Sequence, residues 1–288
     1  MKPVAEIQLV PVAQVSLALR ARITNAVYAD YYVPVHVTEE QVAQTDLYYD
    51  VDVTRSVVAR TPWEPVGIAL LARRGERGWI TGVGVMPEWR RRGVARLMMA
   101  HLIREARGCG VQRLTLEVIT RNSTAYNLYR SLGFCEQREL LCWQRPAGAD
   151  PLPLAAERLV PAPAAELLSN YVGWHEQPAC WQREIATLRK MIGRLKGYRL
   201  NWKGYPAAYC LVQEAAEGVT LHDIGVNPVS ELLMPERTLL QTLATLYPDQ
   251  PMAIMNVPAE DTLNRILPTL GFRVTVHQLE MALDLDKT

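Results

Sequence analysis

Val83-Gly84-Val85-Met86-Pro87-Glu88-Trp89-Arg90-Arg91-Arg92-Gly93-Val94-Ala95-Arg96 is the stretch that decides the fold. An apolar strand pattern runs into a basic turn containing one glycine. The turn runs into an amphipathic helix with Leu97, Met98, Leu102 and Ile103 along one face. Such a junction aims free backbone N–H groups and the positive helix end at one point, where an anion can sit. Gly93 has no Cβ, so a phosphate can come close to the backbone there. The arginines add charge and donors. Taken alone, such a run is more often a solvated basic turn than a ligand site.

Further on, Leu114-Thr115-Leu116-Glu117-Val118-Ile119 is a strand pattern, and Thr120-Arg121-Asn122-Ser123 a loop with helix-capping residues. A short helix follows over Thr124–Leu132 and stops at Gly133-Phe134. This order of basic glycine turn, helix, strand, Asn and Tyr before Gly-Phe resembles the GNAT N-acetyltransferase superfamily. Arg90-x-x-Gly93-x-Ala95 matches that family's pyrophosphate-loop pattern, with Ala in its last small-residue position. The resemblance covers about Ile7 to Arg145. It implies an α/β (α+β) fold, a mixed and mostly antiparallel sheet flanked by helices.

Composition agrees and excludes several classes. A chain of 288 residues suggests two domains with a core each. A net charge of +1 gives no drive toward nucleic acid or membranes. No apolar run approaches the roughly 20 residues that span a bilayer, and the N-terminal residues lack the apolar core of a signal peptide. Five cysteines without a C-x-x-C pair read as reduced thiols of a cytoplasmic protein. The five histidines have no metal-ligand spacing, so no metal is expected. No nucleotide-hydrolase phosphate loop is present.

The chain also carries an internal repeat. Its two phenylalanines each close a Leu-Gly-Phe, at Phe134 and Phe272. Upstream of each stands Gly-Val-x-Pro, at Gly84–Pro87 and Gly225–Pro228. Two tandem copies of one fold follow: 1–145, a Pro/Gly/Ala-rich linker 146–153, and 154–288. In the first copy the reading is strand 6–10, helix 12–27, a loop or short helix to about 50, strands 56–60, 66–73 and 78–86, helix 93–108, strand 113–119, helix 123–132 and strand 135–145. In the second, 164–171, 181–195, 231–246 and 260–270 read as helices, and 198–202, 207–213, 221–226, 251–257 and 278–283 as strands. The second copy has no glycine between Val226 and Leu270, and Glu231, Pro235 and Glu236 stand at its turn. Aligning the Leu-Gly-Phe strings puts Met255 at the place of Glu117 and Leu267 at that of Tyr129. The second copy is therefore read as a degenerate GNAT domain, packed on the first as an internal pseudo-dimer within a monomer.

The site expectations come from the resemblance. Acetyl-CoA is the co-substrate, lying along strand 78–86 with the backbone around Val83 and Val85 bonding the pantetheine and acetyl carbonyl. The turn of Arg90, Arg91, Arg92, Gly93, Val94, Ala95 and Arg96 holds the pyrophosphate. Tyr129 falls at the family's general acid, a role a phenol that stays protonated at neutral pH can fill; it reads otherwise as a core aromatic. Glu117 has the spacing of the base in ribosomal-protein alanine N-acetyltransferases, or is a strand carboxylate with a structural partner. Asn122 bonds the pantetheine arm or caps a helix. Tyr28, Tyr31 and Tyr32, with Asp30 among them, line the acceptor pocket or an exposed loop. Trp89 packs on the coenzyme or on the core. Two functions remain: an acetyl-CoA-dependent N-acetyltransferase acting on a primary amine, small molecule or peptide N-terminus, or a non-catalytic acyl-CoA-binding module.

Overall fold

A computed structural model of the chain describes residues 6–149, 152 and 159–286. In chain order the strands and helices are β1 Gln8–Pro11, α1 Leu17–Val27, α2 Glu39–Tyr49, β2 Val57–Arg60, β3 Pro65–Arg74, β4 Arg77–Val85, α3 Val94–Gly108, β5 Arg113–Ile119, α4 Ser123–Ser131 and β6 Cys135–Arg145. Then come β7 Leu159–Ala162, α5 Ala164–Asn170, α6 Ile185–Met191, β8 Lys196–Trp202, β9 Tyr205–Ala215, β10 Gly218–Val226, α7 Pro235–Leu246, β11 Met252–Pro258, α8 Leu263–Ile266 and β12 Arg273–Asp284.

Two compact units emerge, and they are not the two halves of the sequence. The first is Met1–Arg138 together with Leu279–Thr288; the second is Glu139–Gln278. The expected boundary after 145 thus falls inside the second unit. The reason is that β6 does not stop where the first unit does. It continues as one strand to Arg145, which pairs with Met252 of β11. Asp150, Pro151 and Pro153 of the expected linker, and the expected start of the second copy at 154, lie outside the described residues.

In the first unit the strand order is β1-β2-β3-β4-β5, followed by the C-terminal part of β12. Neighbours from β1 to β4 are antiparallel, whereas β4 and β5 are parallel. On one face α3 lays Met98, Met99 and Leu102 against Leu71, Ile80, Leu114, Leu116 and Phe134, joined by Met281 and Leu283. On the other, α1 packs Ile23 and Val27 against Val58 and Ile68. Fully burying one such side chain contributes about 1.5–3 kcal/mol.

Local sequence sets where the helices begin. Ser16 accepts the Leu19 N–H, so α1 starts there and Val12–Gln14 form a separate 3-10 turn, not the continuous helix expected from 12. Thr38 and Gln41 make a reciprocal capping box for α2, which settles the uncertain stretch before 50 as a helix. A two-residue ion pair, Arg20 to Asp46, ties α1 to α2.

The second unit has the order β7-β8-β9-β10-β11-β6, followed by the first part of β12. Again one internal pair is parallel, β10 with β11. Its helices are shorter than the sequence pattern suggested. Residues 181–195 break at Glu184, which is extended. Pro268 has no N–H to extend α8, leaving one turn and a 3-10 turn, Leu267–Leu270. α7 starts at Pro235 and not at 231.

Candidate active site

The site is built around a strand that changes phase. Ile80 and Val83 both pack toward the α3 side, although period-two alternation forbids this for residues three apart. The register explains it: Leu71 faces Ile80 and Leu70 faces Gly82, so Thr81 is an extra residue in β4. After the bulge, Gly82 and Gly84 turn to the α1 face. A Cβ on Gly84 would stand 2.2 Å from Val27 Cγ2, and one on Gly82 would stand 3.1 Å from the Tyr28 hydroxyl.

The same bulge marks where β4 leaves β5. Their parallel pairing runs from Arg77↔Arg113 to Ile80↔Leu116 and ends there, while both strands continue. The gap opens between residues 81–85 and 117–119. The expected coenzyme strand therefore has one edge turned away from its neighbour.

The basic turn sits at the open end of β4. Arg91 and Gly93 both have positive φ, 60° and 82°. A Cβ on Gly93 would meet nothing within 4 Å. Leu97 is the first residue of α3 to find an acceptor one turn back, the Gly93 carbonyl at 2.9 Å. The N–H groups of Val94, Ala95 and Arg96 have none within the helix, and the helix dipole points the same way.

The four arginines divide by role. Arg91 is exposed and projects from the turn. Arg92 lies over the Trp89 ring at 4.9 Å. Trp89 packs with the α3 core and donates to Glu64, which places it on the protein side. Arg96 donates to the Ser131 hydroxyl of α4 at 2.6 Å. Arg90, expected as a phosphate ligand, is engaged within the protein through all three of its guanidinium nitrogens. It makes two bonds of 2.6 Å to Asp30, one to the Val27 carbonyl at 3.1 Å and one to the Val85 carbonyl at 3.1 Å. One side chain thereby fixes the end of α1, the loop after it and the end of β4. Asp30, read from sequence as a loop contact for substrate, is the other half of this brace.

The tyrosines converge on the gap from both faces. Tyr28 and Tyr31 meet edge to face at 5.0 Å, and Tyr31 and Tyr32 at 5.4 Å. The Val83 backbone hydrogen-bonds the Tyr28 phenol. Burial pushes the Tyr28 phenol up, and the nearby Tyr129 and Tyr31 add to this. Tyr129, on α4 and buried, is pushed up by burial first and by Tyr31 second. Tyr31 is raised by burial, opposed by a hydrogen bond from the Asn122 side chain. Tyr28 and Tyr129 come from opposite faces of the sheet and feel one another at the parted strands. Asn122 also caps α4, accepting the Ala125 N–H at 3.1 Å. Its amide is thus occupied by a cap and by Tyr31.

Glu117 faces away from the α3 core, and its Oε2 accepts the Trp79 indole N–H at 2.7 Å. Trp79 is buried and meets Tyr49 edge-on at 5.5 Å. Sequence reading did not single out Trp79. Its signal was only a large aromatic two residues before an unrecognised bulge.

Residues 21–134 match the model of the Acetyltransferase (GNAT) family. Among curated proteins, the ribosomal protein bS18-alanine N-acetyltransferase of Salmonella typhimurium is 46% identical over 54 residues, 19% of this chain and 36% of that protein. The Escherichia coli K12 protein of the same name is 44% identical over 54 residues. The chain thus spans about a third of the length of the curated relatives it matches. Two solved structures align over nearly its whole length. A GCN5-related N-acetyltransferase from Sphaerobacter thermophilus has a TM-score of 0.72 at 14% identity, covering 97% of this chain and 96% of that one. A tandem GNAT protein from the clavulanic acid biosynthesis pathway has a TM-score of 0.71 at 15% identity, covering 97% and 99%. The GNAT match thus lies over residues 21–134, and the chain as a whole shares the fold of these GNAT structures, one of them a tandem protein. No helix among the described residues is long and apolar enough to cross a membrane, and no cluster among them has the make-up of a metal site.

Proposed function

We propose that the first unit is an acetyl-CoA-dependent N-acetyltransferase. It passes an acetyl group by direct attack to a primary amine of a small molecule or a peptide N-terminus. The observation that carries this reading is the gap after Ile80↔Leu116, with the basic turn at one end and Tyr28, Tyr31 and Tyr129 gathered at it. The partial likeness to ribosomal-protein acetyltransferases supports an amine acceptor.

The residues present fit the coenzyme. The free N–H groups of Val94, Ala95 and Arg96, the open face of Gly93 and the exposed Arg91 suit a pyrophosphate. The parted edge of β4 through Val85 suits an amide-bearing arm. Bound there, acetyl-CoA supplies an acyl thioester. Tyr129, its pKa raised by burial, keeps its proton at neutral pH and gives it to the departing thiolate. Glu117 takes the proton the attacking amine loses. The Trp79 N–H on its Oε2 fixes the carboxylate. Tyr28, Tyr31 and Tyr32 wall the acceptor side, held in place by Arg90 and Asp30. A non-catalytic acyl-CoA-binding module would need the turn but would have no use for a buried phenol facing the gap.

The test is thiol release from acetyl-CoA across a panel of amines, alongside calorimetry of the chain and of Gly93→Asp. Amine-dependent release, one CoA per chain and a large loss of affinity in Gly93→Asp are expected. Equal affinity in the two proteins would remove the site from this turn. CoA binding with no release for any amine would favour the non-catalytic module.

A further inference from the structure

The second unit repeats the parted strands and fills them with its own chain. β10 has the same extra residue, because Leu221 faces Val212 while Asp223 faces Leu211. β10 and β11 pair in parallel only as far as Leu221↔Ile254. The Trp174 carbonyl accepts the Val226 N–H at 2.9 Å. Arg183 donates to the carbonyl of His222 on β10 at 3.0 Å and to that of Met255 on β11 at 3.5 Å. Glu176 accepts the N–H and the hydroxyl of Thr262 at the start of α8, at 3.1 and 2.8 Å. The segment between α5 and α6 thus makes bonds that an inserted ligand would make. A coenzyme arm has no place at Val226.

What remains beside this segment is a cavity of about 340 Å³. At its wall, Asp223 is 97% buried and holds two partners, the Tyr209 hydroxyl at 2.7 Å and His175 Nε2 at 2.8 Å. His175 Nδ1 lies 3.3 Å from the Val172 carbonyl. Both ring nitrogens therefore face acceptors, which suits an imidazolium whose charge offsets Asp223. Arg183 and Glu176 both line the cavity and act on Asp261 with opposite sign. Two more carboxylates line it, Glu236 from the first turn of α7 and Asp261 from the start of α8, and no ion pair is recorded for either among the described residues. Trp174 supplies an aromatic wall, stacked on Tyr171 at 4.0 Å.

We infer that this cavity binds a small organic ammonium ion, its charge facing Glu236 and Asp261 and its carbon body against Trp174. Carboxylates with an aromatic face are what such a cation selects. A pyrophosphate would meet net negative charge. The volume suits a ligand of amino-acid or arylalkylamine size. The site is separate from the one proposed for catalysis and does not depend on it.

The test uses the full chain and two probes of one shape, phenethylammonium and the neutral 2-phenylethanol, by calorimetry. The ammonium should bind on the order of tenfold or more tightly than the alcohol. Glu236→Gln and Asp261→Asn should each weaken it about fivefold. Neither should shift acetyl-CoA affinity, and a melting curve of each variant shows that it is folded. Tyr31→Ala, in the first unit, should leave this binding unchanged. Equal binding of the two probes would overturn the inference. So would ammonium binding that is lost with Tyr31→Ala and untouched by the second-unit variants, which would place the amine at the acceptor site. Ammonium binding in a chain that never releases thiol would refute the catalytic reading and leave this one standing.

Discussion

At Ile80↔Leu116 in the first unit and at Leu221↔Ile254 in the second, a parallel pair stops beside a one-residue bulge. The two places share a backbone and hold opposite contents. In the first, the edge beyond the bulge faces a turn with a glycine, exposed arginine and free helix N–H groups. In the second, Val226 is bonded by Trp174, the parted strands are bridged by Arg183, and Glu236 opens the helix. Counting on from the last paired residues, Met255 stands where Glu117 stands. Phe134 and Phe272 each donate an N–H at 3.1 Å, to Tyr129 in one unit and Leu267 in the other. The comparison separates what holds the fold from what the proposed chemistry uses. The bulge and the glycine after it persist in both units, while the polar groups around the gap have been replaced.

The largest expected effect tests whether each unit is as self-sufficient as its half of the sequence. A chain ended at Arg145 lacks Met281, Leu283 and Leu285 from the first unit's core and the partners of Arg138 and Arg113, which are Glu280 and Asp284. It should be insoluble or lack a cooperative melt. A soluble, active fragment 1–145 would show that the last strand is dispensable. Next, Tyr129→Phe should lower kcat about a hundredfold with acetyl-CoA affinity nearly unchanged. The matching change Leu267→Val should leave turnover intact. Equal losses would mean that both positions act only through packing.

The two glycines give a paired measurement. A Cβ on Gly84 would lie 2.2 Å from Val27 Cγ2, and one on Gly225 would lie 2.2 Å from Tyr209 Cε1. Gly84→Ala and Gly225→Ala should each destabilise by about 1–3 kcal/mol in denaturant melts, through forced displacement of those side chains. A neutral result at either site would mean that its neighbour yields freely. Arg90→Lys keeps the charge but loses the fork, so KM for both substrates should rise about threefold with little change in stability, as suits an exposed pair. Unchanged constants would reduce the brace to a surface contact.

The smallest effect is in pH. The hydrogen bond to Asp223 raises His175 above the ordinary 6.5. Its stabilisation is complete below about pH 6.5 and is lost as pH rises through the raised value. His222 is pushed down to about 4, by burial first and Arg183 second, so it costs stability as pH falls from 6.5 toward 4. His175→Gln should flatten the alkaline slope of the melting temperature and leave the acid slope. An unchanged alkaline slope would show that the His175–Asp223 pair is not coupled to folding.

Sequence made the first unit's elements legible because turn chemistry and periodicity agreed at Gly93, Asn122 and Gly133. It could not expose the roles of Arg90 and Asp30, which are sixty residues apart in sequence. A bidentate pair at that distance leaves no local pattern. Thr81 was invisible for a different reason: a bulge shifts the phase of a strand already rich in glycine, where few side chains mark it. The second unit's plug was hidden because its hydrogen bonds run through the carbonyls of Trp174, His222 and Met255, which carry no residue identity. The unit boundaries were missed because β6 and β12 read as ordinary strands at both ends.

The division of β12 has a consequence for synthesis. The first unit's core is closed by Met281 and Leu283, and Leu285 donates its N–H to the Gln112 carbonyl at 2.7 Å. Those residues leave the ribosome only after the whole second unit. At roughly 5–20 residues per second, the segment between Arg138 and Leu279 takes on the order of ten seconds to make. Throughout that interval the basic turn and Tyr129 exist on a nascent chain that lacks its closing strand. The first unit is closed only after the second has been made, and a premature stop anywhere within the second leaves it open.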